Sequence, residues 1–101
     1  MNKLFIEKKH LKILKQIFDK YCPNSTILAY GSRIKNEAHD GSDLDLAIKN
    51  FDEIEYSLCD IKQAINESNI PFLVDIFVLE SLPKSFQEEI NKENIIIYPT
   101  I

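Results

Sequence analysis

Asp43, Asp45 and Asp75 are three acids that lie in or beside apolar segments of strand character. Side chains alternate along a strand, so Asp43 and Asp45 point to the same face of a sheet. Asp75 lies in the middle of the next strand-like segment, where strand pairing would bring it near them. An unpaired buried carboxylate is costly, and three together also repel one another. Because a divalent cation removes both penalties, the pattern predicts a metal site, and Mg²⁺ prefers such hard oxygen ligands.

A structural role for each acid is the alternative. Taken alone, Asp43 is as readily a turn residue bonded to the backbone, since aspartate favours turns. Asp45, flanked by Leu44 and Leu46, is harder to explain in that way. Asp75, inside Phe-Leu-Val-Asp-Ile-Phe-Val, is harder still, because such apolar strands rarely carry a free acid. The three acids together therefore favour a metal site.

Residues just before the acids are of types that bind phosphate. Gly31 permits a tight turn at the end of a strand, and Ser32 can cap the helical turn that follows. Free N–H groups of that turn, the Ser32 hydroxyl and Arg33 would hold a phosphate. Ser42 is a weaker candidate, as a cap or as a bond near the metal. Gly-Ser alone is more often a simple turn, and only its position before the acids indicates phosphate binding.

The elements that position these residues alternate along the chain. Apolar residues at helical spacing predict a helix from about residue 7 that ends at Pro23, and Pro83 can open a last helix. The segments with strand character cover 26–30, 44–48, 72–78 and 95–98. The second and third strands, joined by a helix, should pair in parallel, and the first two should be antiparallel. We therefore expect an α/β (α+β) fold with one domain over residues 1–101, a small mixed β-sheet and helices packed against it.

The helix between the second and third strands has the clearest pattern. Its apolar stripe consists of Phe51, Ile54, Leu58, Ile61 and Ile65. Asp52 with Glu55 fits a capping box, and Phe51 with Tyr56 fits the hydrophobic staple around it. The pattern therefore predicts a helix that begins just after Asp52.

Composition excludes several classes of protein. With 101 residues, 45% of them hydrophobic and 28% charged, the chain has the balance of one small globular domain. No apolar run approaches the ~20 residues of a membrane helix or has the form of a signal peptide. Cys22 and Cys59 form no metal or disulfide pattern, which predicts free thiols in a reducing cytoplasm.

Charge is unevenly distributed along the chain. Six lysines lie within residues 1–20, although the net charge is −4. A basic first helix can steer an anionic partner, but a solvated lysine face is the more ordinary interpretation of such a helix. The overall acidity and the lack of interleaved aromatic and basic residues predict no direct nucleic-acid binding.

The order of these motifs resembles that of a known family, the minimal nucleotidyltransferases (MNT) of the DNA polymerase β superfamily. The signature of that family is Gly-Ser, a spacer, Asp-x-Asp and a third acid on a later strand. Here ten residues separate Gly31-Ser32 from Asp43-Leu44-Asp45, and Asp75 stands where the third acid belongs. The resemblance covers nearly the whole chain and implies a polymerase-β-like nucleotidyltransferase fold.

The resemblance also implies an activity, the transfer of a nucleoside monophosphate, AMP from ATP being the expected case, to a hydroxyl with release of pyrophosphate. Asp43 and Asp45 would hold two Mg²⁺ ions, for which Mn²⁺ can substitute, and Asp75 would ligate the ion that activates the acceptor. Gly31 and Ser32 would grip the triphosphate. Small members of this family resemble antitoxins of HEPN/MNT toxin–antitoxin pairs, which implies a HEPN-domain toxin as the protein partner and acceptor.

Other functions are left open by the sequence. One is a binding module of the same fold that neutralises its partner stoichiometrically, with transfer weak or absent, although the presence of all three acids favours the enzyme. Another, an enzyme with a small-molecule acceptor, is disfavoured because no acceptor-binding domain accompanies the motif. Base preference and homo-oligomerisation are not determined by the sequence.

Overall fold

The computed structural model describes residues 4, 6–31 and 43–99. Ser32, Arg33 and Ser42, predicted to bind the nucleotide, lie outside the described residues. In chain order the elements are α1 (Lys8–Tyr21), β1 (Thr26–Tyr30), β2 (Leu44–Lys49), α2 (Leu58–Asn66), β3 (Val74–Val78), a 3-10 turn (Leu79–Ser81), α3 (Lys84–Lys92) and β4 (Ile95–Tyr98). The predicted order of helices and strands is confirmed.

The four strands form one mixed sheet in the order β3-β2-β1-β4. β1 pairs antiparallel with both β2 and β4, whereas β2 and β3 are parallel. The parallel pair follows from the α2 crossover between its strands, since parallel neighbours need a long connection. The α+β fold and both strand orientations predicted from the sequence are therefore correct.

One face of the sheet carries the main hydrophobic core, which α1 and α2 cover. Alternate residues of each strand point into this core, as the pleat of a strand requires. Its largest fully buried side chains are Leu14, Phe18, Ile27, Leu44, Leu46, Ile48, Ile61 and Ile76. At the β4 edge, the Tyr98 hydroxyl donates a hydrogen bond of 2.5 Å to Asp19 Oδ1, which ties the last strand to α1.

The opposite face of the sheet has a much smaller core. Leu28 and Ala47 are buried there against Leu79 of the 3-10 turn and Ile90 of α3. Beyond this cluster the face is open at its edges: Phe77 on β3 and Ile96 on β4 are 41% and 50% exposed. Asp45 of β2 and Asp75 of β3 alternate with residues of the main core, so they lie on this less covered side of the sheet.

The predicted start of α2 is wrong. The helix begins at Leu58, capped by Ser57, whose hydroxyl accepts from the Asp60 N–H while the Asp60 carboxylate accepts from the Ser57 N–H at 2.8 Å. Ser57 and Asp60 thus form the capping box that the sequence assigned to Asp52 and Glu55. Ile54, placed by the pattern on the buried stripe, is 88% exposed in the segment before the helix.

Two possible capping boxes, at Asp52 and at Ser57, compete for the start of α2, and hydrophobic periodicity does not show which one forms. A capping box satisfies N–H groups that a helix leaves without partners, so the helix begins where the better box lies. The ring of Tyr56 packs edge-on against Tyr21 of α1 at 4.6 Å, and Phe51 packs on the main core. The predicted Phe51–Tyr56 staple therefore gives way to contacts between the connection and the domain body.

Two smaller differences concern the flanks of the strands. β3 begins at Val74 rather than at residue 72, and the N–H of Leu44 bonds to the Leu73 carbonyl at 2.9 Å just before the ladder.

His10 is buried in α1 with its ring edge-on to Phe72. Within the described parts of the chain, no helix has the length and apolarity needed to cross a membrane.

Candidate active site

Tyr30, Asp45 and Asp75 form one row across three neighbouring strands. Asp45 and Asp75 are direct partners in the parallel pair β2–β3, and Tyr30 is the partner of Asp45 in the antiparallel pair β1–β2. Strands in a sheet lie ~4.8 Å apart, so this register places the two carboxyl-bearing residues side by side. We call these three residues the acidic row. The predicted approach of Asp75 to Asp45 is therefore present in the structure.

The acidic row lies on the face opposite the main core. Leu44 and Leu46, on either side of Asp45, are fully buried in that core, so Asp45 points the other way. Asp43 is exposed, one residue before β2, and strand alternation relates it to the face of Asp45. All three predicted acids thus belong to one end of the sheet, with Asp45 at the centre.

The acids are less buried than their sequence surroundings suggest. Asp43 and Asp75 are exposed, and Asp45 is half-buried. The apolar neighbours of Asp75 mark β3 as a strand with a buried face, but they pack on the main core while Asp75 points to the side that α1 and α2 leave free. The expectation that Asp75 is a buried carboxylate is therefore wrong, because the face of β3 that carries it, with Leu73 and Phe77, is left exposed.

Asp45 is an acid of the row whose pKa is shifted. Burial raises the pKa of its carboxyl group above the ordinary value, and the negative charges of Asp75 and then Asp43 raise it further. Among the residues that the structure describes, no basic side chain contributes to the shift. A cation between these acids would relieve the repulsion and replace lost hydration, since an opposite charge favours the ionised form.

Gly31 lies directly beside this central carboxylate. Its φ of +81° is a left-handed conformation, and a Cβ placed on it would collide with Asp45 Oδ2. Only glycine meets both conditions without strain. The sequence interpretation of Gly31 as a tight turn at the end of β1 is consistent with this φ, and the closeness to Asp45 adds a steric reason that the sequence does not show.

Tyr30 packs against both hydrophobic clusters, as its apolar surroundings in the sequence suggest, and it also stands next to Asp45. It is half-buried, and its ring packs edge-on against Phe86 of α3 with the centroids 5.9 Å apart. Burial, followed by the charges of Asp45 and Asp75, raises the pKa of its hydroxyl to about 12. The sequence contains a signal for the place of Tyr30 beside the acids. Tyr30 follows Ala29 of the main core, so its side chain starts on the opposite face, and antiparallel pairing sets it opposite β2.

The chemistry of the donors in the row suits a hard divalent cation. Carboxylate oxygens are the ligands of Mg²⁺, and the pKa of Asp45 is raised by burial and by the negative charges of its two neighbouring acids. Among the residues that the structure describes, however, no three His, Cys, Asp or Glu side chains are gathered into a group that could hold an ion. Two observations support a metal site: the strand register that pairs Asp45 with Asp75, and the effect of the negative charges of Asp75 and Asp43 on Asp45.

Comparison with known proteins agrees with this geometry. Residues 12–100 match the model of the family described as "Polymerase beta, Nucleotidyltransferase". The chain belongs to this nucleotidyltransferase family. It is also 36% identical, over 95 residues, to the probable protein adenylyltransferase MntA of Haemophilus influenzae, a match that covers 93% of this chain and 83% of that protein.

The family match bears on both the fold and the site. The minimal nucleotidyltransferases of the polymerase β superfamily are thereby confirmed as the family that the Gly-Ser and Asp-x-Asp motifs resemble, and the chain is a nucleotidyltransferase that acts on a nucleotide substrate. The matched span contains the whole acidic row together with Gly31 and Asp43.

Proposed function

We propose that this nucleotidyltransferase transfers a nucleoside monophosphate, AMP from ATP, to a hydroxyl of a partner protein at the acidic row. The observation that carries the proposal is the pairing of Asp45 with Asp75 in adjacent parallel strands, where the Asp45 carboxylate fits against Gly31 because that residue has no side chain. This arrangement supports a site where a triphosphate lies next to two acids. Such a transfer is catalysed mainly by positioning and by neutralising charge.

Mg²⁺ is the proposed cofactor, as two ions held by Asp43, Asp45 and Asp75, with Mn²⁺ as a substitute. Bound there, the ions would neutralise charge on the phosphates and lower the pKa of the acceptor hydroxyl. The negative charges around Asp45 support this role, because ligation would lower the pKa that burial and neighbouring acids raise. Asp45 is the residue expected to contribute to both ions, since it lies between the other two acids.

The nucleotide side of the site is proposed to lie along the end of β1. Gly31 would allow the triphosphate to approach the backbone, and Ser32 and Arg33, with Ser42 more weakly, would bind its oxygens. The hydroxyl of Tyr30 is protonated at neutral pH, as that of an ordinary tyrosine is, so this group would be available as a hydrogen-bond donor beside the acids.

In the proposed reaction the oxygen of the acceptor hydroxyl attacks the α-phosphorus of the NTP. A new phosphorus–oxygen bond forms, the bond from the α-phosphorus to the bridging oxygen breaks, and pyrophosphate leaves with that electron pair. The hydroxyl proton passes to Asp75 or to water. Asp75 suits this role because it is the exposed acid at the outer side of the row.

The proposed acceptor is a protein. The relative MntA is described as a probable protein adenylyltransferase, which supports a protein acceptor for this chain. Following the resemblance to HEPN/MNT pairs, we assign the acceptor to a HEPN-domain toxin that the chain neutralises as its antitoxin.

The test uses ATP labelled at the α-phosphate, Mg²⁺ and a candidate HEPN protein encoded beside this chain. Wild type should transfer the label to the acceptor, whereas Asp45→Asn and Asp75→Asn, each folded, should lose transfer almost completely. Asp52→Asn is the matched control, an exposed aspartate in the connection after β2, and should retain transfer. Near-native transfer by either site variant would refute the assignment of the acids.

The same experiment separates the enzyme from a stoichiometric inhibitor. If wild type silences the partner without any transfer of label, and the Asp45→Asn variant silences it equally well, the chain acts by covering its partner. If silencing needs ATP and is lost with Asp45→Asn, transfer is the mechanism.

A further inference from the structure

β3 presents three exposed side chains on the face of the acidic row. Phe72 and Val74 pack on the main core, so strand alternation puts Leu73, Asp75 and Phe77 on the opposite side. Leu73 is 68% exposed and Phe77 41% exposed, and Asp75 between them is exposed too. We call Leu73, Asp75 and Phe77 the β3 strip. At a rise of ~3.3 Å per residue, each apolar side chain starts ~6–7 Å from Asp75 along the strand.

The β3 strip is open to an incoming molecule. β3 is an edge strand, and within the described parts of the chain no other strand pairs with its outer side. A surface hollow of about 280 Å³ adjoins the Leu73 end, and its lining residues are Ile65, Asn66, Ile70, Pro71, Phe72 and Leu73. An apolar side chain of a partner that covers Leu73 would find a partly formed pocket there, the setting in which binding energy concentrates.

The chemistry of the strip fits a polypeptide better than a nucleic acid. Two exposed apolar side chains gain by being covered with apolar groups, which a protein surface supplies and a phosphate backbone does not. The polar residue of the strip, Asp75, is an acid and gives a phosphate backbone no positive charge to pair with. At the Phe77 end, Lys62 Nζ lies 5.9 Å from the centroid of the Phe77 ring, engaged with an aromatic face.

We propose that the β3 strip docks the acceptor polypeptide, with the acceptor hydroxyl over Asp75 and one apolar side chain on each side against Leu73 and Phe77. The proposal rests on the proposed function, because it takes Asp75 as the acid that meets the hydroxyl. The required spacing is ~6–7 Å on either side of the hydroxyl residue. Apolar residues two positions away supply it in an extended segment, and residues four positions away supply ~6 Å in a helix.

The experiment measures binding, so that it does not depend on catalysis. Fluorescent peptides with a central serine or tyrosine are made in an extended format, with leucine two positions before and after, and in an alanine-based helical format, with leucine four positions before and after. Each has a partner peptide with serine in place of both leucines. Fluorescence anisotropy with the full chain gives the affinity ratio of each pair.

Wild type should bind the leucine-flanked peptide roughly tenfold more tightly than its serine partner in at least one format, as covering a Leu or Phe side chain implies. Leu73→Ser and Phe77→Ser should each reduce this ratio several-fold, and the double variant should bring it close to one. A ratio near one for wild type in both formats would overturn the proposal, as would a ratio that survives the double variant.

Ile96→Ser is the matched control. Ile96 is 50% exposed and lies in the same cross-strand row as Phe77, through Leu28 and Ala47, but on the opposite edge strand. Three strand spacings, ~14 Å, separate the two positions. The variant should keep the wild-type ratio, and an equal loss in Ile96→Ser would show general stickiness of the face and overturn the docking assignment. A concentration-dependent dimer that Leu73→Ser dissociates would instead assign the strip to a second copy of the chain.

Pyrophosphate release from ATP, with the peptides or water as acceptor, distinguishes this inference from the proposed function. If wild type shows the peptide preference but releases no pyrophosphate with any acceptor, the proposed function fails and the docking surface stands. If it releases pyrophosphate but shows no preference, the docking assignment fails alone.

Discussion

Gly31 and Asp45 are packed so closely that a side chain at position 31 would occupy the place of the Asp45 carboxylate oxygen Oδ2. The glycine ends β1 with a φ of +81°, and the acid stands on the neighbouring strand. The turn proposed to receive the phosphates and the acid proposed to receive the metal are therefore coupled by direct contact. A change at either residue should be felt by the other.

Replacing Gly31 by alanine tests this coupling. The left-handed backbone conformation should cost about 1–2 kcal/mol of unfolding free energy for a residue with a Cβ. Affinity for the Mg²⁺–ATP complex should fall further than stability does, because the new methyl group displaces Asp45. Urea unfolding and isothermal titration calorimetry measure the two effects.

A double-mutant cycle provides the control for this prediction. In the Asp45→Ala background, the new methyl group of Gly31→Ala no longer meets the carboxylate. The loss of unfolding free energy should then be only the cost of the left-handed backbone conformation. Coupling of residues in contact is the usual cause of such non-additivity. If the changes in unfolding free energy of the two single variants add up to that of the double variant, the contact has no energetic consequence.

The raised pKa of Asp45 predicts that its charge destabilises the metal-free fold. The folded pKa lies above the unfolded one, so folding gains from the protonated form, and this advantage is lost as pH rises through the raised value. In EDTA at neutral pH, Asp45→Asn should therefore unfold at a higher temperature than wild type. The difference should shrink as pH falls toward the ordinary aspartate range.

Mg²⁺ should reverse that order of stabilities. Saturation at a hundredfold excess over the dissociation constant should add ~2.7 kcal/mol to wild type and little to Asp45→Asn. Calorimetric scans with and without the ion give both results. A wild type that is indifferent to Mg²⁺ and more stable than Asp45→Asn in EDTA would mean that the acid is structural.

The start of α2 predicts unequal effects of two alanine substitutions. Ser57→Ala removes the hydroxyl that accepts from the Asp60 N–H and should lower the unfolding free energy by about 1 kcal/mol. Asp52→Ala, at the cap that periodicity favours, should change it by less than about 0.5 kcal/mol, as exposed substitutions usually do. Chemical unfolding of both variants decides between the two caps, and the reverse order of effects would move the helix start to Asp52.

The two cysteines should differ sharply in reactivity. Burial raises the pKa of the Cys22 thiol from 9.0 to about 12, whereas Cys59 is exposed on α2. At pH 8, a thiol reagent such as Ellman's should label Cys59 at once and Cys22 only after unfolding, because the thiolate is the reactive form. Cys59→Ser should abolish the fast phase, and a fast phase that persisted in this variant would contradict the burial of Cys22.

The same shift has a consequence for stability at high pH. Because the folded pKa of Cys22 exceeds the unfolded one, its favourable contribution is complete below pH 9 and is lost between pH 9 and 12. Cys22→Ala should therefore lose less stability than wild type over that interval, as alkaline unfolding curves would show.

Much of this protein follows from local sequence pattern. Alternation alone relates Asp43 to Asp45, and a helix between β2 and β3 requires a parallel pair, which brings Asp75 beside Asp45. The polar segment after Gly31 and the order of the motifs indicate the family without any tertiary information. These features are decided by the strand period of two and by the length of a connection, which any compact fold must obey.

The tertiary structure decided which side of each strand is covered and where competing local signals end. The sequence of β3 is apolar on both faces except at Asp75, and only the packing of α1 and α2 on one of them leaves Leu73, Asp75 and Phe77 exposed. The start of α2 depended on whether the capping box at Ser57 prevailed over an apolar stripe that had nothing to pack against at Ile54. Burial and partner choice are properties of the assembled layers, because the free energy of each side chain depends on residues distant in sequence.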